Sequence, residues 1–411
     1  MTEPRTRALV FHAADLGGTK IGGIQSFVRG FAQFAPEDFV VECVGTTSDV
    51  EARPLGRWTE IDVEGRSVRY LPVVRTDPLE RRSRVPIALS YTLALVRHRR
   101  RFATRGRVLN FHRAGVPLAL SGSRSPRVQF VHLNVADIYG QRGESRWRRL
   151  PGAYHRIEDL TIGSMDRVWV VNEAGVRFYR ERHPAQADKF AFLPTWYDPG
   201  IFGAPSAAER DRERRDVRQS LGVPEHARLI LFVGRLEAQK DPETLVRAFA
   251  LVSGIDDLHL VIVGSGGLGE LVRRVASDAG VADRTHLRGA LPRPEVARHM
   301  VAADLLALAS RFEGMPITVI EAMATGLPVV ATAVGEVPRL VSSGSTGWLV
   351  EQRSADALAD GFQRVLEMPP EPLRAATVAT ASRYRADAVL GPVYDHQREL
   401  ASRFRAAGHQ T

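Results

Sequence analysis

At 411 residues the chain is too long for one hydrophobic core of ordinary size, and two domains of about 200 residues are expected. With 44% hydrophobic and 25% charged residues it is neither a disordered tail nor a fibre. One cysteine, Cys43, excludes an internal disulfide, and the longest nearly apolar run, Ile87 to Val96, is too short to span a bilayer as a helix.

The net charge of +9 is unevenly placed. Residues 1–200 carry a balance of +10 and the remainder −1. Arginine supplies almost all of it, since there are only three lysines, Lys20, Lys189 and Lys240. An arginine-rich, lysine-poor composition fits a GC-rich, bacterial-like genome. The asymmetry fits a first half that meets an anionic partner, such as an acidic lipid surface or a lipid-linked phosphate. No basic motif interleaved with aromatics accompanies the charge, so nucleic acid is not expected. No secretory pattern opens the chain, and a cytoplasmic protein, peripheral at the inner face of a membrane, is expected.

Along the chain, short apolar runs alternate with helical stretches. In the first half they begin with Ala8 to His12, Phe39 to Val44, Val68 to Val74, Val108 to His112, Val128 to His132, Val168 to Val171 and Phe190 to Leu193. In the second half they are Leu229 to Val233, Leu258 to Val263, Thr285 to Leu287, Leu305 to Leu308, Pro328 to Ala331 and Trp348 to Val350. Continuous apolar strands between helices indicate parallel sheets covered on both faces, and two such series indicate two doubly wound α/β domains. The expected boundaries are 1–200, a connector 201–226, and 227–380. The final stretch from Ala381 is helical, with Gly391-Pro392 expected to kink or divide it.

The first strand is followed by Gly17-Gly-Thr-Lys-Ile-Gly-Gly23, whose last pair, Gly22 and Gly23, can bring backbone N–H groups close to phosphate or sugar oxygens at a helix start. It is not a Walker loop. His12, His112 and His132 each end a strand and line one edge; His132 is the candidate for substrate contact. Ile87 to Arg101 runs an apolar segment into Arg97-His-Arg-Arg-Arg101, a packed helix with a solvated tail or a membrane-surface element.

In the second half, Gly234 turns the chain after a strand and delivers Arg235 and Lys240 to the edge where open parallel sheets bind ligands. A planar fork and a point charge together suit a diphosphate. Gly264-Ser-Gly-Gly-Leu-Gly269 has the spacing of a dinucleotide fingerprint, but the position for its ribose-binding acid holds Arg288, which argues against NAD. His286-Leu-Arg-Gly289 ends the next strand, and His286 reads as a partly buried strand residue. Glu313 and Glu321 then flank the start of a helix marked by Gly314, Met315, Pro316 and Ile317 and stopped by Gly326 and Pro328. Two carboxylates beside an anion-attracting helix terminus suit a ligand with both phosphates and hydroxyls.

Glu313, seven intervening residues and Glu321, followed by Ala-Met-Ala-Thr-Gly-Leu-Pro-Val-Val-Ala-Thr332, resemble the signature of retaining glycosyltransferases of family 4. Met315-Pro316 departs from the family's usual Phe-Gly. Leu193-Pro-Thr-Trp-Tyr-Asp198 departs from its Pro-Asn-Gly-x-Asp, which leaves the role of that loop open. The resemblance implies a GT-B fold of two Rossmann-like domains facing across a cleft, with the C-terminal helix 381–411 joining the first domain. It implies hexosyl transfer from a nucleotide-diphospho-sugar with retention, by front-face attack and without a metal. A UDP-sugar is expected ahead of a GDP-sugar. It assigns the diphosphate to Arg235 and Lys240, sugar hydroxyls to Glu313, ribose to Glu321, and the donor sugar to His132. Gly22, Gly23, Gly234, Gly264, Arg288, Gly289, Gly314, Met315, Pro316 and Ile317 complete the expected donor site. An epimerase or phosphorylase on the same fold, or a silent scaffold, would share the architecture.

Overall fold

The computed structural model describes residues 5–18, 23–77, 87–132 and 151–408. It divides into two compact units, Met1–Leu193 with Leu390–Thr411, and Pro194–Val389. Each unit is an α/β body built on one sheet.

In the first unit the strands are β1 (Thr6–Phe11), β2 (Phe39–Thr47), β3 (Thr59–Val63), β4 (Arg66–Arg75), β5 (Val108–Phe111), β6 (Arg127–Val131), β7 (Arg167–Val170) and β8 (Phe190–Phe192). Their order is β3-β4-β2-β1-β5-β6-β7-β8, parallel except for β3. β3 is absent from the sequence reading, because Thr59-Glu-Ile-Asp-Val63 is half polar and partly exposed. Its signal was the turn Glu64-Gly65, where both residues have positive φ (52° and 80°), the requirement of a two-residue hairpin whose twist matches its strands. The central strands are buried on both faces: on one, Leu9, Phe11, Leu109, Phe111, Val168 and Val170 join one core with Tyr91 and Leu95 of the helix Ile87–His98, and on the other Ala8, Val10 and Val108 are buried. Cys43 is buried in β2, as expected of a small apolar side chain.

The second unit has β9 (Arg228–Val233), β10 (Leu258–Val263), β11 (Thr285–Gly289), β12 (Leu305–Leu308), β13 (Val329–Thr332) and β14 (Gly347–Val350). Their order is β11-β10-β9-β12-β13-β14 and all pairs are parallel. Residues 201–226, expected as a connector, are packed into this unit. The helix Ala207–Leu221 starts with a Ser206–Glu209 capping box and ends at Gly222 in the left-handed region. Its buried Arg218 donates to the carbonyls of Ala227 and Ala302 and to Asp304.

The last helix, Ala386–Gly408, runs on past Pro392 rather than dividing there. Its residues from Leu390 belong to the first unit. There Tyr394 donates to the Phe31 carbonyl at 2.8 Å and the Gln397 amide donates to Asn110 at 2.7 Å.

In both sheets the chain starts in the middle and then crosses to the other side. That reversal lies between β1 and β5 in the first unit and between β9 and β12 in the second. The loops leaving the carboxyl ends of two such strands diverge to opposite faces and leave a crevice, the usual ligand site of open parallel sheets.

Candidate functional site

The crevice of the second unit is defined by the loops after β9 and β12. The β9 loop carries Gly234 to Lys240 and the β12 loop carries Ser310 to Gly314. They are tied by the Arg311 N–H to the Gln239 carbonyl and the Gln239 amide to the Phe312 carbonyl. Across them, Lys240 Nζ donates to Glu313 Oε1 at 2.5 Å. Ser310 Oγ donates to the same oxygen at 2.6 Å, and Thr332 fixes the Ser310 carbonyl. Lys240 and Glu313 are both largely shielded from solvent, so the pair is a charge-assisted contact in a low-dielectric setting.

Glu321 sits one turn into the helix Ile317–Ala324, which follows Pro316 and has no capping side chain. It is buried and receives Arg293 at 3.3 Å. Burial pushes the Glu321 carboxyl up to about 7, against the pull of Arg293 and with a further push from Asp198. It is therefore poised between donor and acceptor near neutrality, where the sequence reading treats it simply as a carboxylate. Arg293 also lies 3.8 Å from Asp198 and over the Phe202 ring at 5.3 Å. Asp198 accepts from the Gly200 N–H. In the departing loop, Trp196 and Tyr197 are buried packing residues, and Thr195 donates to the Met315 carbonyl at 3.4 Å.

The glycines of the fingerprint-like segment have a packing reason. A Cβ on Gly264 would lie 1.8 Å from the Gly234 carbonyl oxygen, and one on Gly266 would lie 2.4 Å from that of Leu236. The two loops are laced by Leu236 N–H to Ser265, Leu268 N–H to Leu236, and Gly264 N–H to Gly289. Gly289 itself has φ +68°. Gly335 does the same for the glutamate loop: its Cβ would stand 2.1 Å from the Glu313 carbonyl oxygen.

The structure thus brings together Lys240, Glu313, Gly314, Met315, Pro316, Ile317 and Glu321, and places Gly234, Gly264 and Gly289 at one edge. It does not bring Arg235 to Lys240. Arg235 is exposed and donates to Glu237 at 2.6 Å. Arg288 is exposed at the end of β11, and His286 faces His259 at 3.1 Å between ring nitrogens. Gly22 lies outside the described residues; Gly23 opens the helix Gly23–Gln33. Arg293, Ser310 and Gly335 were missed. Arg293 had a signal: a cation at the first turn of a helix opposes the dipole unless a carboxylate holds it.

In the first unit, the register that sets Phe11 beside Phe111 puts His12 and His112 side by side. Their rings are 5.6 Å apart, and His112 stacks on Phe130 and His132 at 4.9 and 5.1 Å. His112 Nδ1 and His132 Nε2 share a hydrogen bond of 2.8 Å. Burial holds His12 and His132 down to about 3 and His112 well below its ordinary value, so all three are neutral at physiological pH. Among the described residues, no group of His, Cys, Asp or Glu is placed to hold a metal ion, and no helix is long and apolar enough to cross a membrane.

Residues 213–383 match the family described as glycosyl transferases group 1. A GDP-mannose-dependent alpha-(1-6)-phosphatidylinositol monomannoside mannosyltransferase of Mycolicibacterium smegmatis is 31% identical over 285 residues, covering 66% of this chain and 70% of that one. This chain belongs to the group 1 glycosyltransferases. A D-inositol 3-phosphate glycosyltransferase of Corynebacterium aurimucosum is 32% identical over 263 residues, covering 62% of this chain and 59% of the relative. The chain therefore spans about three fifths of that relative's length. Sucrose-phosphate synthase from Thermosynechococcus elongatus shares the fold with a TM-score of 0.75 at 22% identity, over 97% of this chain and 100% of the other. The fold is thus of the GT-B class, two parallel-sheet α/β domains. The preference for a UDP-sugar finds no support, since the mannosyltransferase is named for GDP-mannose.

Proposed function

We propose that this family member transfers a sugar from a nucleoside-diphospho-sugar to a hydroxyl of an acceptor. The observation that carries it is the Lys240–Glu313–Ser310 contact at the second unit's crevice, followed directly in the chain by the helix whose Glu321 receives Arg293. Lys240 supplies a positive group for the diphosphate, and the N–H groups at the start of Ile317–Ala324 supply partial positive charge. Both would stabilise the charge that grows on the leaving nucleoside diphosphate. Arg235 joins them by leaving Glu237, an exposed partner that holds it weakly. Glu313 is placed for sugar hydroxyls and Glu321 for ribose. His132 is the first unit's candidate for the sugar. Relatives that are all named glycosyltransferases favour transfer over epimerisation or a silent scaffold.

The donor base is read from the relatives as guanine first. The acceptor is read as a hydroxyl-rich, phosphorylated molecule, either free or lipid-linked, since the relatives are named for inositol phosphate and phosphatidylinositol mannoside. A lipid-linked acceptor suits the helix Ile87–His98. Leu89, Leu93 and Val96 form an exposed apolar stripe at helical spacing and run into exposed Arg97, Arg99, Arg100 and Arg101.

Calorimetry with GDP-mannose, GDP, UDP-glucose and UDP tests the donor reading. Binding of one nucleotide series, weakened in Lys240→Ala, supports it; binding of neither series overturns it. Sedimentation with acidic vesicles tests the membrane reading. Binding that falls with salt and with Leu93→Asp supports it, and equal recovery with neutral vesicles removes it.

A further inference from the structure

The first unit's crevice holds a half-buried guanidinium that has no counter-ion among the described residues. Arg113 follows His112 at the end of β5, beside the β1–β5 reversal. Among the described residues it makes no hydrogen bond or ion pair, and its Nε is buried without a partner. Burial pulls its pKa down from the usual arginine range, and no carboxylate opposes that pull. Its positive charge also helps to hold the neighbouring His12 in the neutral form. His12 is 3% exposed, and neither of its ring nitrogens has a partner. The carboxylate of the loop after β1, Asp15, is already taken by Arg53, by the Ser48 hydroxyl and N–H, and by the Gly17 N–H.

An uncompensated cation and an unpaired imidazole at one crevice are costly, and such groups in native proteins are commonly satisfied by a ligand. We propose that Arg113 and His12 form an acceptor subsite for a phosphorylated polyol. Arg113 takes the phosphate as a fork of donors, and neutral His12 takes a ring hydroxyl. The His112–His132 pair, stacked beside them, continues the same uncharged hydrogen-bonding wall. Neutral imidazoles suit hydroxyls, because each offers one donor and one acceptor. This assignment rests on the glycosyl-transfer reading and names the residues that select its acceptor.

The test is calorimetry on the full chain saturated with the nucleoside diphosphate it binds. The probes are D-inositol 3-phosphate, unphosphorylated myo-inositol, and phosphatidylcholine vesicles with or without phosphatidylinositol. The wild type should bind the phosphorylated probe at least tenfold more tightly than myo-inositol, or bind only the phosphatidylinositol vesicles; the first marks a soluble acceptor and the second a lipid one. Arg113→Gln should abolish the preference, and Arg113→Lys should restore part of it. His12→Gln should weaken both polyols by a similar factor. Nucleoside diphosphate affinity should stay within twofold in every variant, which separates this subsite from the donor reading. A wild type without any phosphate preference overturns the assignment. So does an Arg113→Gln variant that keeps that preference while melting at the wild-type temperature.

Discussion

The two sheet reversals solve the same topological problem with opposite electrostatics. At β9–β12 the shielded carboxylates have partners: Glu313 with Lys240, Glu321 with Arg293. At β1–β5 the imidazoles are neutral and Arg113 has no counter-ion among the described residues. A compensated site is stable when empty and must exchange partners when a ligand enters. An uncompensated one stores unfavourable free energy that a ligand of the right sign relieves. The first arrangement suits a substrate with both phosphates and hydroxyls. The second suits a ligand whose charge is opposite to that of Arg113.

The comparison predicts opposite responses to pH. His12 and His132 have folded pKa values near 3, below the unfolded 6.5, so the unfolded chain binds more protons between these limits. Stability of the first unit should be full above pH 6.5 and fall as pH drops towards 3, by on the order of 5 kcal/mol for each histidine. Hydrogen exchange read unit by unit should show β1, β5 and β6 opening first on acidification. His132→Gln should remove one share of the loss, and uniform opening of both units would break the contrast.

Removing Lys240 leaves the shielded Glu313 carboxylate with Ser310 alone. Lys240→Ala should lower stability by about 3 kcal/mol and cut turnover by about 100-fold or more. Equilibrium denaturation and steady-state rates measure the two. A fully active, fully stable variant would remove the pair from the site.

Glu321 carries the reverse sign. Its carboxyl is raised to about 7, so the folded state holds the extra proton between about 4.5 and 7. The second unit should lose stability as pH rises through that window, by about 3 kcal/mol at pH 8 relative to pH 4.5. Glu321→Gln should flatten this slope and reduce nucleoside diphosphate affinity, seen in denaturation midpoints across pH and in calorimetry.

The smallest effect is expected at Arg235. Its contact with Glu237 is exposed, so Arg235→Ala should change stability by less than about 0.5 kcal/mol. Its loss should appear only in donor affinity. A stability change as large as that of Lys240→Ala would mean that the two residues act as one structural unit.

Much of this was legible in the sequence for definite reasons. Strands such as Leu258–Val263 are buried on both faces, so their pattern is an unbroken apolar run. Lys240, Glu313 and Glu321 were found because they border turns that glycine and proline announce. Arg293 was not, because its partner lies far along the chain and only the fold joins them. Gly335 was passed over for the same reason: the Glu313 carbonyl that excludes its Cβ comes from another loop. Arg113 was hidden by composition, since one arginine among so many gives no hint that this shielded one has no counter-ion among the described residues.

The crossing helix Ala386–Gly408 orders events in time. The first unit emerges first during synthesis, yet the amide that pairs with Asn110, the hydroxyl that meets Phe31 and the guanidinium that grips Asp38 all arrive with Gln397, Tyr394 and Arg398. All of the second unit lies between these partners in the chain. The second unit is built from one continuous segment and is free to close as soon as it is made. The first must keep a vacancy open until the last helix appears, a long-range closure that slows folding and exposes apolar surface meanwhile. Translation therefore delivers a finished second unit before a finished first unit.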